Sequence, residues 1–323
     1  ADHALSFPHA QSLSLGILFL PFCFREAFMS STNGLISARD HYLHNPVVDG
    51  FCRYLAQYLK GKDFNPVYTT ETFRPKAFYC IASLEDGYEQ YLKEKGNALP
   101  FARMRDLRLP MIEALKAGDN QKMRALIDSL YDQRLNKNNY SQWFDSNKAH
   151  LCELLNFACD ILSSDSPDYR LFGTEQGPRM SAVLSRIYAI VLGNFLTYES
   201  RVSATTCLFI REYCRTNDMA LPQELCLSRL QGWGKNKKDN GRNASWGNNQ
   251  FPMLDAMKRR HKRESEFARA NILASWLVDR ALQLTFEDGT PDWLKGETPM
   301  RNVEAAFYMM GATLPPPDSA PGI

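Results

Sequence analysis

Apolar residues recur at helical spacing through the later two thirds of the chain. Leu151, Leu154, Leu155, Ala158, Ile161 and Leu162 fall at i, i+3, i+4 and i+7, the stripe that an amphipathic helix buries. Met180, Val183, Leu184, Ile187, Tyr188 and Val191 repeat that spacing, and Gly193 and Asn194 follow in the manner of a C-cap. Phe267, Ala270, Leu273, Ala274, Leu277, Val278, Ala281 and Leu282 mark another helix, and Val303 to Met310 mark the last. Before about residue 110 the pattern is mixed. VVDGFCRYLAQYLK (47–60) reads as a helix after Pro46, and KAFYCIASL (76–84) reads as a strand. The pattern predicts a mainly α protein with a smaller mixed α/β part over 1–110, a helical core over 111–312 and a disordered tail, TLPPPDSAPGI, over 313–323. No internal repeat is present.

Composition narrows the class. A chain of 323 residues, 44% of them hydrophobic, can bury one large core or two ordinary ones. The longest apolar run, LGILFLPFCF (15–24), is interrupted by Pro21 and follows no basic stretch. It is too short to span a bilayer, so a buried segment is expected there, with no membrane span and no signal peptide. The eight cysteines form no CxxC pair, and most sit inside apolar periodic segments. That usage predicts a reducing, cytoplasmic setting rather than a zinc ribbon or a disulfide scaffold. His41 and His44 in DHYLH have metal-like spacing but no second pair beside them; a polar loop is expected there, and no metal or small-molecule cofactor.

Charge is distributed unevenly. The formal net charge is +2, yet Arg229 to Ala270 holds eleven Lys and Arg against four Asp and Glu, which leaves the remainder of the chain acidic. The basic residues come in two blocks. GWGKNKKDNGRNASWGNN (232–249) carries Lys235, Lys237, Lys238 and Arg242 among Gly, Asn, Trp233 and Trp246, and KRRHKR (258–263) carries Lys258, Arg259 and Arg260 at the start of a helix. Cations at a helix N-terminus oppose the macrodipole. A solvated face explains such a run, and so does a polyanion: neighbouring basic blocks interleaved with flat aromatic rings suit a nucleic-acid strand.

Motifs for common chemistries are missing. The chain holds no P-loop, Rossmann glycine fingerprint, GxSxG or HExxH, which disfavours kinases, dinucleotide enzymes, serine hydrolases and zinc proteases. What it does hold is a helix, the Gly193-Asn194 break, and the stretch FLTYESRVS (195–203), which delivers Glu199 and Arg201 to the start of a further helix.

That arrangement, GPRMSAVLSRIYAIVLGNFLTYESRVSATTCLF (177–209), resembles the core of the helix-hairpin-helix DNA glycosylase superfamily, nearest to proteins with the oxoguanine DNA glycosylase fold. RNASWGNNQFP (242–252) and RNVEAAFYMMG (301–311) resemble segments of uncharacterised members of that fold. In the family a glycine hairpin leads into a helix, and a short extended link then carries an essential Asp to the next helix. The resemblance places Glu199 at that acid, Gly173 and Gly177 of GTEQGP (173–178) at the hairpin, and Met180, beside Arg179, where bifunctional members carry a Schiff-base lysine. Three departures stand out: Glu is one methylene longer than Asp, the hairpin glycines are more widely spaced, and Arg179 cannot act as the amine because its guanidinium stays protonated.

The resemblance implies a monofunctional DNA glycosylase. Cleavage of an N-glycosidic bond develops oxocarbenium character, which a fixed carboxylate stabilises, and a helix N-terminus favours the ionised form of such a group. Water would be the attacking group. The implied partner is DNA, double-stranded with one damaged or modified base flipped out, in repair or antiviral defence, bound by a monomer. Gly173, Gly177, Arg179 and the basic residues of both blocks would contact the strand, and Tyr198, Trp233, Trp246 or Phe251 would line the base pocket or fill the gap. Each aromatic has an ordinary core role as its alternative, and Arg201 either holds a phosphate or pairs with a nearby acid. Two other classes fit the same residues: a DNA-binding protein that keeps the fold without chemistry, and a helical interaction module for an acidic partner.

Overall fold

A computed structural model describes residues 36–73, 76–95, 100–131, 139–175, 177–231, 241–254 and 259–316. Ser37–Ile323 forms one compact unit. Its elements are α1 (Ala38–Leu43), α2 (Pro46–Leu59), β1 (Tyr68–Phe73), β2 (Lys76–Ile81), α3 (Leu84–Lys95), α4 (Pro100–Ala117), α5 (Asn120–Tyr131), α6 (Asn139–Ser146), α7 (Leu151–Ser163), α8 (Ala182–Leu192), α9 (Ser200–Thr216), α10 (Arg260–Phe286) and α11 (Pro299–Met310). The protein is mainly helical. Among the described residues the strands form one antiparallel pair, in which Tyr68 faces Ile81 and Thr70 faces Tyr79.

Local chemistry sets the helix ends. α2 begins where Asn45 accepts the N–H of Val47 and Pro46, which has no N–H to leave unsatisfied, takes the first position. α8 begins where Ser181 Oγ accepts the N–H of Leu184, and it stops at Gly193, whose φ of +78° is left-handed. α9 is buried almost throughout, from Val202 to Cys214. It packs between α2 and α11, with Phe209 stacked on Phe307 at 5.5 Å between ring centres. α2 also lies along α10, and α3 along α11, so the residues before position 110 share their packing partners with the helices after it.

Several expectations change in detail. Position 110 falls inside α4, at Pro110. DHYLH is a helical end rather than a loop: His41 lies within α1, and His44 caps it with Nδ1 2.7 Å from the Asp40 carbonyl. Among the described residues no group of three or more potential ligands could hold a metal ion. Thr313–Pro315, the first residues of the expected tail, are packed: Thr313 donates to the Glu71 carbonyl at 2.8 Å, Leu314 donates to that of Gly241 at 2.6 Å, and the Pro315 carbonyl accepts from Arg211 at 3.3 Å. The apolar run at 15–24 lies outside the described residues. No helix among the described residues is long and apolar enough to cross a membrane.

Candidate active site

The link between α8 and α9 makes one internal backbone hydrogen bond, from the Glu199 N–H to the Thr197 carbonyl at 2.9 Å, and its other backbone groups need partners from elsewhere. Buried side chains supply them. Arg301 on α11 donates through Nη2 to the Phe195 carbonyl, Ser275 Oγ on α10 accepts the Leu196 N–H at 3.0 Å, and Glu304 accepts the Thr197 N–H. Arg301 and Glu304, one helical turn apart, pair at 2.6 Å with 5% and 0% of their side chains exposed. Burial raises the Glu304 pKa, against the pull of Arg301 and the Thr197 hydrogen bonds, and burial lowers that of Arg301.

This frame presents Glu199 at the N-cap of α9, with φ −107° and ψ 176°. Its carbonyl accepts the Ser203 N–H at 2.8 Å, opening the helix. Its side chain makes no capping hydrogen bond, and Oε1 is buried without a hydrogen-bond partner among the described residues. A capping role therefore does not account for this carboxylate. The half-buried guanidinium of Arg186, on α8, lies within its electrostatic reach, as does the buried Tyr91. Glu199 also counters the lowering of the Arg242 pKa that burial and the nearby Arg201 produce. Arg201 lies 4.3 Å over the Tyr308 ring.

The first turn of α9 also holds Leu230, just before the first basic block, and Arg242 within it. Leu230 donates its N–H to Ser203 Oγ at 3.2 Å, and Arg242 donates through Nη1 to Ser200 Oγ at 2.7 Å and through Nε to the Ala312 carbonyl at 3.2 Å. Tyr198 adds a strut: its ring is fully buried edge-on to Phe267, and its hydroxyl donates to the Ser228 carbonyl at 2.9 Å. Arg229 pairs by its backbone with Met253, donating to Pro252 and accepting from Leu254. The chain thus leaves one small bridge towards each basic block, from Leu230 into the first and from Leu254 into the second.

The remaining expected site residues divide into three groups. Trp233, Lys235, Lys237, Lys238 and Lys258 lie outside the described residues. Arg259 and Arg260 are exposed at the start of α10, whose first turn holds no acid. Gly173, Gly177 and Arg179 form a tight internal turn against that helix. A Cβ on Gly173 would come within 2.8 Å of His261 Cα, and one on Gly177 within 2.0 Å of the Leu171 carbonyl oxygen. Arg179 is held by Glu264, with contacts from 2.6 to 2.8 Å, and Met180 donates its N–H to the same carboxylate. Phe251 is buried against the half-buried Trp246, ring centres 6.1 Å apart. Tyr198 and Phe251 therefore have no open ring face in this conformation.

Arg186, Ser275, Arg301, Glu304 and Tyr308 escaped the sequence reading. A usable signal existed for two of them: Arg301 and Glu304 stand at i, i+3 in an otherwise apolar helix, where a charge is buried only with its partner. Compared with protein-family models, curated proteins and solved structures, the chain matches none.

Proposed function

We propose that the protein is a monofunctional DNA glycosylase that hydrolyses the N-glycosidic bond of a flipped, damaged or modified base, with Glu199 as the acid that stabilises the sugar cation. The observation that carries the reading is the Glu199 carboxylate itself. It stands at a helix N-terminus, makes no cap, keeps a buried oxygen free of hydrogen bonds among the described residues, and is backed by a link that buried side chains clamp on both α10 and α11. A carboxylate fixed before the reaction stabilises developing positive charge without reorganising at the moment of reaction.

The anchoring of Leu230 and Arg242 on the same turn supports DNA as the partner, because the sequence between them carries three lysines and a tryptophan. The internal pairing of Arg179 with Glu264 favours a second reading, in which the protein binds DNA without cleaving it, since the hairpin region then contributes less to a strand contact. Incubation with a panel of natural and modified DNAs separates the two. Released base and heat-labile abasic sites are the expected products, and binding with no abasic product on any member of the panel would leave the non-catalytic reading.

A further inference from the structure

Three arginines from separate places in the chain converge near Glu199 and Tyr308: Arg186, 5.9 Å over the Tyr131 ring, and Arg242 lie within electrostatic reach of both, and Arg201 lies 4.3 Å over the Tyr308 ring. Arg186 comes from α8, Arg201 from the first turn of α9, and Arg242 from the first basic block. All three are half-buried, and none forms an ion pair with a carboxylate at salt-bridge distance among the described residues. Arg201 rests on the Tyr308 ring and Arg242 on Ser200 Oγ, contacts that orient a guanidinium without neutralising it. Arg301 does not add to the charge, because Glu304 compensates it. With Glu304, which also lies within electrostatic reach of Arg186, already paired to Arg301, three cations near the one remaining carboxylate, Glu199, leave two positive charges in a partly desolvated place, which is costly unless an anion joins them.

We propose that Arg186, Arg201 and Arg242 form a phosphate subsite beside Glu199, which takes phosphate oxygens of the nucleotide whose sugar lies at that carboxylate. Arginine suits the ligand, since its planar fork pairs with phosphate oxygens two at a time. Two net charges match either the two phosphodiesters flanking one nucleotide or one phosphate monoester at a strand end. The subsite rests on the glycosylase reading for the identity of its strand, but phosphate binding is measured without any base release, so the two stand or fall separately.

The test is titration calorimetry of the full chain with inorganic phosphate, alongside anisotropy of a short single-stranded oligonucleotide with a 5′-hydroxyl and of the same strand with a 5′-phosphate. Arg186→Gln, Arg201→Gln and Arg242→Gln should each weaken phosphate binding about tenfold and flatten the salt dependence on the oligonucleotide, by about 0.7 in slope for each phosphate that the variant no longer engages. Glu199→Gln should strengthen phosphate binding several-fold, because it removes the one opposing charge; misfolding cannot produce that gain. Tighter binding of the 5′-phosphorylated strand assigns a monoester, and equal binding assigns internal phosphodiesters. Unchanged phosphate affinity in all four folded variants would overturn the subsite.

Discussion

Arg242 donates from Nη1 to Ser200 Oγ at 2.7 Å, joining the end of a basic segment to the first residue of the helix that Glu199 caps. The same guanidinium reaches the Ala312 carbonyl just beyond α11. Arg242→Ala should therefore lower stability by about 1.5 to 3 kcal/mol, the range for losing hydrogen bonds from a charged group, and should also weaken DNA binding. Urea denaturation and fluorescence anisotropy read the two effects on one protein sample.

Glu304 and Arg301 act as a unit. Removing the carboxylate leaves a guanidinium with 5% of its side chain exposed and without its counter-charge, so Glu304→Ala should cost about 3 to 5 kcal/mol. The loss also frees the Thr197 N–H, two residues before Glu199. A denaturation midpoint within experimental error of the wild type would show that the link is held by other contacts.

Gly311 is required for a close approach. A Cβ there would lie 2.0 Å from the Arg201 carbonyl oxygen and 2.6 Å from its carbonyl carbon. Because these are backbone atoms, no side-chain rotation relieves the overlap. Gly311→Ala should push α11 away from the first turn of α9, cost roughly 1 to 3 kcal/mol as overpacking does, and reduce base release beyond its effect on stability. Thermal unfolding and single-turnover kinetics together separate these losses.

Cysteine reactivity should follow burial. Burial pushes the thiols of Cys52, Cys159 and Cys214 up to about 12, whereas Cys80 is exposed. At pH 8 an alkylating reagent should modify Cys80 well before those three, as read by peptide mass spectrometry. The raised values also carry a sign for stability. A thiol that keeps its proton in the folded state contributes fully below its unfolded pKa, roughly 8.5. That contribution is lost as pH rises from there towards about 12.

The helices are legible in the sequence because each buries an apolar stripe at regular spacing. Leu151–Ser163 and the Ser181-to-Gly193 segment follow their periodicity closely. The position of Glu199 is legible for the same reason, since the Gly193 break and the apolar link point to a helix start. Its surroundings are not. Arg186, Arg301 and Tyr308 lie far from it in sequence or inside an apolar helix, and only the packing of α8, α9 and α11 brings them together. Tyr198 shows the converse: an aromatic beside a candidate acid reads as a stacking surface, yet its ring fills the core and its hydroxyl is used by Ser228. Arg179 likewise reads as a cation available to a strand and is instead the partner of Glu264.

One substitution isolates the role of the Glu199 carboxylate. Glu199→Gln keeps the size of the side chain and removes its negative charge. On a DNA carrying a base that the wild-type protein releases, the variant should retain DNA binding and lose base release by at least 10²-fold, the scale of a fixed electrostatic group. Base release by a folded Glu199→Gln protein at the wild-type rate would contradict the account.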